Sequence, residues 1–393
     1  MAGDKPQSIW TRVFALLCLA EFLGYAQHFV LQPTFPLYIT QLGGSPFVVG
    51  LVIASFGVTS VVSRPIIGYW ADRWSITGVM VLGLLVQTIS ISLCFIPFAG
   101  ATMLANGFRG IGWSGMNTGG YTLLATSAPA ERRGEASGYY GGVQSSATIL
   151  FPAIALWIIE APFGGFAATF MFAMAMALLG AAAAAVLARE IPPQPRKAAA
   201  ESSQSWWREI LQVFDRSMVL AIALLFTLHV SLPCFTSFVV LYARDLAIGH
   251  FGWYFVLTGI ISMLARPLLG RLSDKIGCGR SLVAAFALQC AALLMMPLID
   301  NLAGVMLGGT LYFMGSAIGG TRILALAMEK APAERRARAM ASFSIAFPLS
   351  NGVGALSSGL VVDLAGYTWM YVSAAIVCAT GLALTAKNWP SLK

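Results

Sequence analysis

The sequence predicts an all-α polytopic membrane protein, with twelve transmembrane helices in two pseudo-symmetric six-helix bundles. Three observations carry this. First, 58% of the 393 residues are hydrophobic and only 10% are charged, where soluble proteins carry about a quarter charged. Second, the apolar residues come in blocks of twenty or more, such as 79–98 and 217–242. Blocks of that length cross a ~30 Å hydrocarbon core as helices, which satisfy their own backbone groups. Third, the chain repeats itself. "SRPIIGYWADRW" begins at Ser63 and "ARPLLGRLSDKIG" at Ala265, so that Arg64, Pro65, Gly68, Asp72 and Arg73 map onto Arg266, Pro267, Gly270, Asp274 and Lys275 with one offset of 202.

The elements follow in order. Span 1 (13–36) runs on from "MAGDKPQSIWTRV", which lacks the cleavage-like site of a signal peptide. Span 2 (47–69) stops at the first copy of the repeat, and span 3 is 78–98. Span 4 (101–127) carries intramembrane polar residues, span 5 is 138–160, and span 6 (166–188) is a Met-, Phe- and Ala-rich run suited to lipid or packing contacts. Residues 190–215 then combine Pro, Ser and charge, and "SWWREILQVF" within them has the pattern of an interfacial amphipathic helix. This linker divides the chain into a bundle at 1–189 and a bundle at 216–393. Spans 7–12 are 217–242, 252–270, 281–299, 304–328, 341–363 and 366–386. The six cysteines lie in apolar segments or, for Cys278, in a basic loop, so no disulfide framework is expected.

Orientation follows from the cations. Both termini and the loops after spans 2, 4, 6, 8 and 10 hold 19 of the 24 Lys and Arg; the opposite loops hold only Arg244. That side is read as cytoplasmic. The net charge of +8 reflects this bias and gives no reason to expect a nucleic-acid partner. The repeat continues in "APAERR", at Ala128 and again at Ala331. Parallel repeats imply two bundles related by an axis along the membrane normal, with a site between them.

Ionisable groups inside spans are costly and point to function. In span 1, Glu21, Tyr25, His28 and Gln32 recur at helical spacing on one face, and in span 4 Asn106, Arg109, Trp113 and Asn117 do the same. Span 7 carries His229 ahead of Pro233 and Cys234; span 10 carries Arg322 after "GSAIGG". No phosphate-binding loop, dinucleotide fingerprint or metal-ligand cluster is present, so no catalytic residue, metal or cofactor is assigned and the chain does not read as an enzyme.

A six-plus-six chain with Gly-x-x-x-Asp-Arg/Lys after spans 2 and 8 resembles the major facilitator superfamily, most closely its twelve-span drug and metabolite exporters. The second copy (Gly270, Asp274, Lys275, Gly277, Arg280) is the fuller match; in the first, "WSITG" follows Gly68, Asp72 and Arg73 where basic residues usually stand. Span 5 has Pro152 after Phe151 where antiporters of the family often have Gly-Pro. The resemblance implies that helices 1, 4, 7 and 10 line a central cavity, with Glu21, Tyr25, His28, Gln32, Asn106, Arg109, Trp113, Asn117, His229 and Arg322 as its candidate substrate and proton ligands. It implies a cytoplasmic gate at Gly68, Asp72, Arg73, Gly270, Asp274, Lys275 and Arg280, with Gly68 and Gly270 allowing close helix approach. The implied activity is proton-coupled export of a small organic molecule by alternating access. The alternatives are proton-coupled import of an organic anion, or a non-transporting sensor or assembly factor on the same scaffold. Glu21 and Arg109 are expected to share the cavity, their difference in depth spanned either by their own long side chains or by a bridging Tyr25, His28 or Asn106. The expected setting is a monomer in a plasma membrane, of the bacterial inner-membrane kind, with both termini cytoplasmic.

Overall fold

In a computed structural model of the chain the described residues are 9–127, 129, 132–191, 216–331 and 336–392. Most of the linker at 190–215 lies outside them, as do the side chains of Asp72, Arg266 and Asp274 and the surroundings of Gly270. The helices are α1 (Arg12–Gln41), α2 (Pro46–Arg73), α3 (Ile76–Ser92), α4 (Ala99–Ser127), α5 (Arg133–Glu160) and α6 (Phe166–Glu190) in the first half. In the second half they are α7 (Val219–His229), α8 (Leu232–Thr236), α9 (Phe238–Asp245), α10 (Gly252–Ile276), α11 (Cys278–Met295), α12 (Leu302–Lys330) and α13 (Arg336–Lys387). Among the described residues nine helical segments are long and apolar enough to cross a membrane. The last of these is double length and breaks at Gly366, whose φ of 84° only glycine adopts without strain. The polar helices α4 and α10 complete the set.

Several helices outrun their predicted bounds. The 30 residues of α1 span about 45 Å at 1.5 Å per residue, so its ends stand beyond the hydrocarbon. It also passes through Pro33 and Pro36, the latter being the residue at which the predicted span ended. Hydroxyls in the same stretch bond back along the helix: Thr34 donates to the Val30 carbonyl at 2.6 Å and Thr40 to that of Pro36 at 2.7 Å. The seventh span, expected as one helix over 217–242, is broken into α7, α8 and α9. Pro233 lacks the N–H that the His229 carbonyl needs. Two tyrosines repair the break, Tyr254 donating to the Phe235 carbonyl (3.0 Å) and Tyr371 to that of Cys234 (3.3 Å).

Within the first bundle α1 packs on α5 and α6, and α4 packs on α2 and α3. The α3–α4 crossing is backbone to backbone: a Cβ at Gly83 would stand 2.6 Å from the Gly112 carbonyl oxygen. In the second bundle α12 packs on α10 and α11, and α13 on α7 and α11. The bundles meet through α2 with α13 and α5 with α10.

That junction differs between the two ends of the molecule. At the end away from the termini, α2 and α13 touch without side chains between them. A Cβ at Gly50 would lie 2.5 Å from the Ala355 carbonyl oxygen, and one at Gly57 would lie 2.8 Å from that of Pro348. Ser45 donates to Asp363 across the same end at 2.7 Å, and Trp157 of α5 packs on Trp253 of α10 with ring centres 5.7 Å apart. Toward the terminal end, a Cβ at Gly68, Gly138, Gly141 or Gly142 would meet no described atom within 4 Å. The bundles are sealed at the far end and part toward the termini. The close helix approach expected at Gly68 is not made here: Ile67 and Ala71 hold α2 against α3 and α4, while a Cβ at Gly68 would have no described neighbour within 4 Å.

Candidate functional site

Arg109 stands ten residues into α4, near mid-helix, and is only 1% exposed. A buried guanidinium must hydrogen-bond its donors. Its Nη1 donates to Asn106 Oδ1 at 2.6 Å; its Nε and Nη2 donate to Gln27 Oε1 at 3.3 and 3.2 Å. Nη2 also lies 3.4 Å from His28 Nδ1. Arginine cannot accept, so that contact requires His28 to carry its proton on Nε2. The acceptors are themselves fixed. Asn106 donates to the Val52 carbonyl at 2.7 Å, and Gln27 donates to the Gly24 carbonyl at 2.9 Å and to Gln87. The cation is thus held by neutral groups, with the rings of Phe35 and Phe56 at 5.3 and 5.8 Å from its Cζ.

These residues wall an open cleft of about 390 Å³, a volume that includes its solvent-filled mouth. His28, Gln32, Phe35, Asn106 and Arg109 line it from the first bundle; Ser237 and Asn351 line it from the second. His28 sits between Trp113 (ring centres 4.4 Å) and Phe56 (4.9 Å). One turn toward the termini, Tyr25 donates to Asn117 at 3.0 Å and stacks on Trp113.

Glu21 is elsewhere. It is fully buried between α1, α4 and α5, two turns nearer the termini than His28. Gln144 Nε2 donates to its Oε2 at 3.3 Å. Its Oε1 and the Tyr140 hydroxyl both face the bare Cα of Gly120, and neither oxygen makes a hydrogen bond with a described residue. The expected bridge between Glu21 and Arg109 is therefore absent. Asn106 and His28 serve Arg109, Tyr25 serves Asn117, and the carboxyl keeps its own pocket. The two stripes did align, but the residues along them sort into two clusters at different depths.

The second-half candidates stay out of the cleft wall. His229 is buried with Nδ1 3.2 Å from the Leu225 carbonyl oxygen, as the end of α7 turns at the proline break, and its ring packs on Phe347. Arg322 is half-buried on α12 toward the terminal end, near Cys278. At that end Arg73 is exposed with its Cζ 4.3 Å from the Tyr69 ring, and Lys275 and Arg280 are also exposed. Arg64 donates to Ser344 of α13 at 3.3 Å, a tie between bundles. The side chains of Asp72 and Asp274 lie outside the described residues. Sequence reasoning missed Gln27, Gln87, Tyr121, Tyr140 and Gln144. Polar residues inside apolar spans were the available signal, but being neutral at ordinary pH they drew less notice than the charges they serve.

The family model for the major facilitator superfamily matches residues 17–328 and 250–388. Among curated proteins the chain is 23% identical to an uncharacterised MFS-type transporter of Methanocaldococcus jannaschii, over 94% of each. It is 24% identical to the multi-drug resistance efflux pump PmrA of Streptococcus pneumoniae, again over 94% of each. It is 23% identical to multidrug resistance protein 1 of Bacillus subtilis, over 93% of this chain and 92% of that one. Among solved structures it superposes on a POT family transporter in complex with 5-aminolevulinic acid, with a TM-score of 0.81 at 12% identity, covering 98% of this chain and 97% of that one. It also superposes on the nucleoside transporter NupG, with a TM-score of 0.74 at 15% identity over 98% and 100%. With a family model spanning nearly the whole chain and the same helical architecture in both transporters, this protein belongs to the major facilitator superfamily.

Proposed function

We propose that the protein is a proton-coupled exporter of a small organic molecule, working by alternating access. The observation that carries this is the pairing of two buried ionisable groups at different depths of the first bundle. One, Arg109, walls the cleft between the bundles; the other, Glu21, lies behind it in a pocket of its own. A substrate site and a proton site that do not touch suit coupling through conformation. The efflux relatives favour export. The cation split makes the terminal end cytoplasmic, so the present form opens inward, the form that loads an exported substrate. Asp72 and Arg73, with Asp274, Lys275 and Arg280, are the expected lock of that end in the opposite form. The bacterial inner membrane and a monomeric state complete the reading.

A second reading, import of an organic anion, is favoured by one feature. Arg109 has no carboxylate among its described hydrogen-bond partners, and an uncompensated cation in a low-dielectric cleft favours a negative ligand. A non-transporting sensor on the same scaffold has no comparable feature in its favour.

The test uses protein reconstituted in proteoliposomes, with the tightest compound from a thermal-stabilisation screen of small organic cations, anions and neutral molecules. The expected result is proton-driven accumulation that Glu21→Gln abolishes while counterflow exchange survives. Full proton-driven accumulation by Glu21→Gln would remove Glu21 from the coupling. The direction of accumulation under a defined gradient separates export from import.

A further inference from the structure

A fully buried carboxyl that exchanges protons needs a path to water, and the hydrogen bond that Gln144 makes to Glu21 leads to one. Gln144 uses both ends of its amide. Nε2 donates to Glu21 Oε2 at 3.3 Å, and Oε1 accepts from the Tyr121 hydroxyl at 3.3 Å. Tyr121 is 51% exposed. Its hydroxyl lies on the cleft side and not among lipids, since Arg64, which reaches across to Ser344 of the other bundle, stands within electrostatic reach of both Tyr121 and Tyr25. Gln144 therefore separates a dry carboxyl from the water of the cleft by one side chain.

We propose that Gln144, held by Tyr121, is the door through which Glu21 exchanges its proton with the cleft. This rests on the reading of Glu21 as the coupling carboxyl. With the door closed, the Gln144 N–H stabilises the carboxylate. When the amide swings aside, hydronium from the cleft gives a proton to Oε2, leaving water and a neutral carboxylic acid. Once neutral, Glu21 no longer offers Gln144 a charged acceptor, and the amide is released from α1. The door belongs to the part that moves. Gln144 lies on α5, five residues from Ile149, against which Gly259 of α10 packs at 2.8 Å from a built Cβ to the Ile149 Cα. Movement of α5 relative to α10 and α4 changes the Tyr121–Gln144 contact, so proton access follows the state of the bundles.

Few other groups contend for the role. The titratable side chains around Glu21 are Cys18 and Tyr25 on α1 itself, Tyr121 on α4 and Tyr140 on α5. Helix α6, which packs on α1 where Gly180 meets Leu23, carries no titratable side chain between Phe166 and Arg189. Arg64 on α2 stands within electrostatic reach of Tyr25 and Tyr121.

The experiment labels the full-length protein in liposomes with dicyclohexylcarbodiimide, which reacts with protonated carboxyls in apolar pockets, and follows the Glu21 peptide by mass spectrometry against pH. Glu21→Gln identifies the site by loss of label. Gln144→Leu removes a hydrogen bond to the charged form and is expected to move the labelling midpoint up by about one pH unit. Tyr121→Phe keeps the amide but frees it, and is expected to quicken labelling severalfold with a smaller shift in midpoint. Should both variants leave midpoint and rate unchanged, the door is refuted even if Glu21→Gln uncouples transport. If instead the midpoint moves but transport is not proton-driven, the door stands and the coupling reading fails. Should Gln144→Leu not fold, Tyr121→Phe alone decides by its rate.

Discussion

Gly50→Ala tests the seal between the bundles. The methyl would sit 2.5 Å from the Ala355 carbonyl oxygen and 3.2 Å from the Leu356 Cα. Carbon contacts settle at about 3.5–4.0 Å, so one backbone must withdraw by roughly 1 Å, and there is no flexible side chain to yield. Overpacking of this kind costs about 1–3 kcal/mol. The cost falls only on the form in which α2 and α13 touch, which shifts the far-end-closed to far-end-open ratio by about 5–150-fold. The assay is cross-linking of Ser45→Cys with Asp363→Cys, positions now joined by a 2.7 Å hydrogen bond, in a background without other cysteines. Gly50→Ala should slow this cross-linking and make Asn351→Cys, in the cleft, reactive to an impermeant maleimide from the far side. Gly68→Ala is the internal control. Its methyl would meet no described atom within 4 Å, so the same readouts should stay at the parental level. An unchanged cross-linking rate and maleimide reactivity in Gly50→Ala would refute the idea that this contact holds the far end shut.

Two further outcomes are expected. Arg109→Lys should weaken ligand binding by about tenfold and Arg109→Ala should abolish it in calorimetry, because lysine keeps the charge but loses the planar fork that now spans Asn106 and Gln27; equal binding by Arg109→Lys and the parent would count against a fork-specific contact. Asp72→Asn and Asp274→Asn should slow turnover in proteoliposomes while leaving ligand affinity unchanged, as fits residues that bias the two forms without touching the cleft; a loss of affinity would overturn the gate reading.

The helices were legible because apolar length is a property of single segments. Arg109 and Glu21 stood out for the same reason: charge inside a span is conspicuous wherever its partner lies. The partners were harder. Gln27 falls one residue off the face defined by Glu21, Tyr25, His28 and Gln32, and it reaches Arg109 only because α1 and α4 cross at that level. Gln144 becomes meaningful only when α5 is folded beside α1, a packing relation that periodicity along either helix cannot convey. The break after His229 was signalled by Pro233, yet its repair by Tyr254 and Tyr371 depends on helices 19 and 137 residues away from the carbonyls they bond. The seal of the far end is invisible for another reason: it is made of glycine backbones, which carry no side-chain chemistry to read.

The two halves share a plan but no longer an inventory. In the first, Glu21 and Arg109 are buried among amides such as Gln27, Gln87 and Asn106; in the second, the described buried residues include no carboxylate or guanidinium, and Tyr254, Tyr312, Tyr371, Phe235 and Phe238 are among its large buried side chains. A duplicated chain that begins with two equal copies has thus settled into a division of labour. In the charged copy each residue is answerable to others, since losing one amide strands a cation. The aromatic copy reaches the cleft through Ser237 and Asn351, side chains on which no described buried charge depends. Substitutions on that wall can therefore reshape the cleft one side chain at a time without stranding a buried charge.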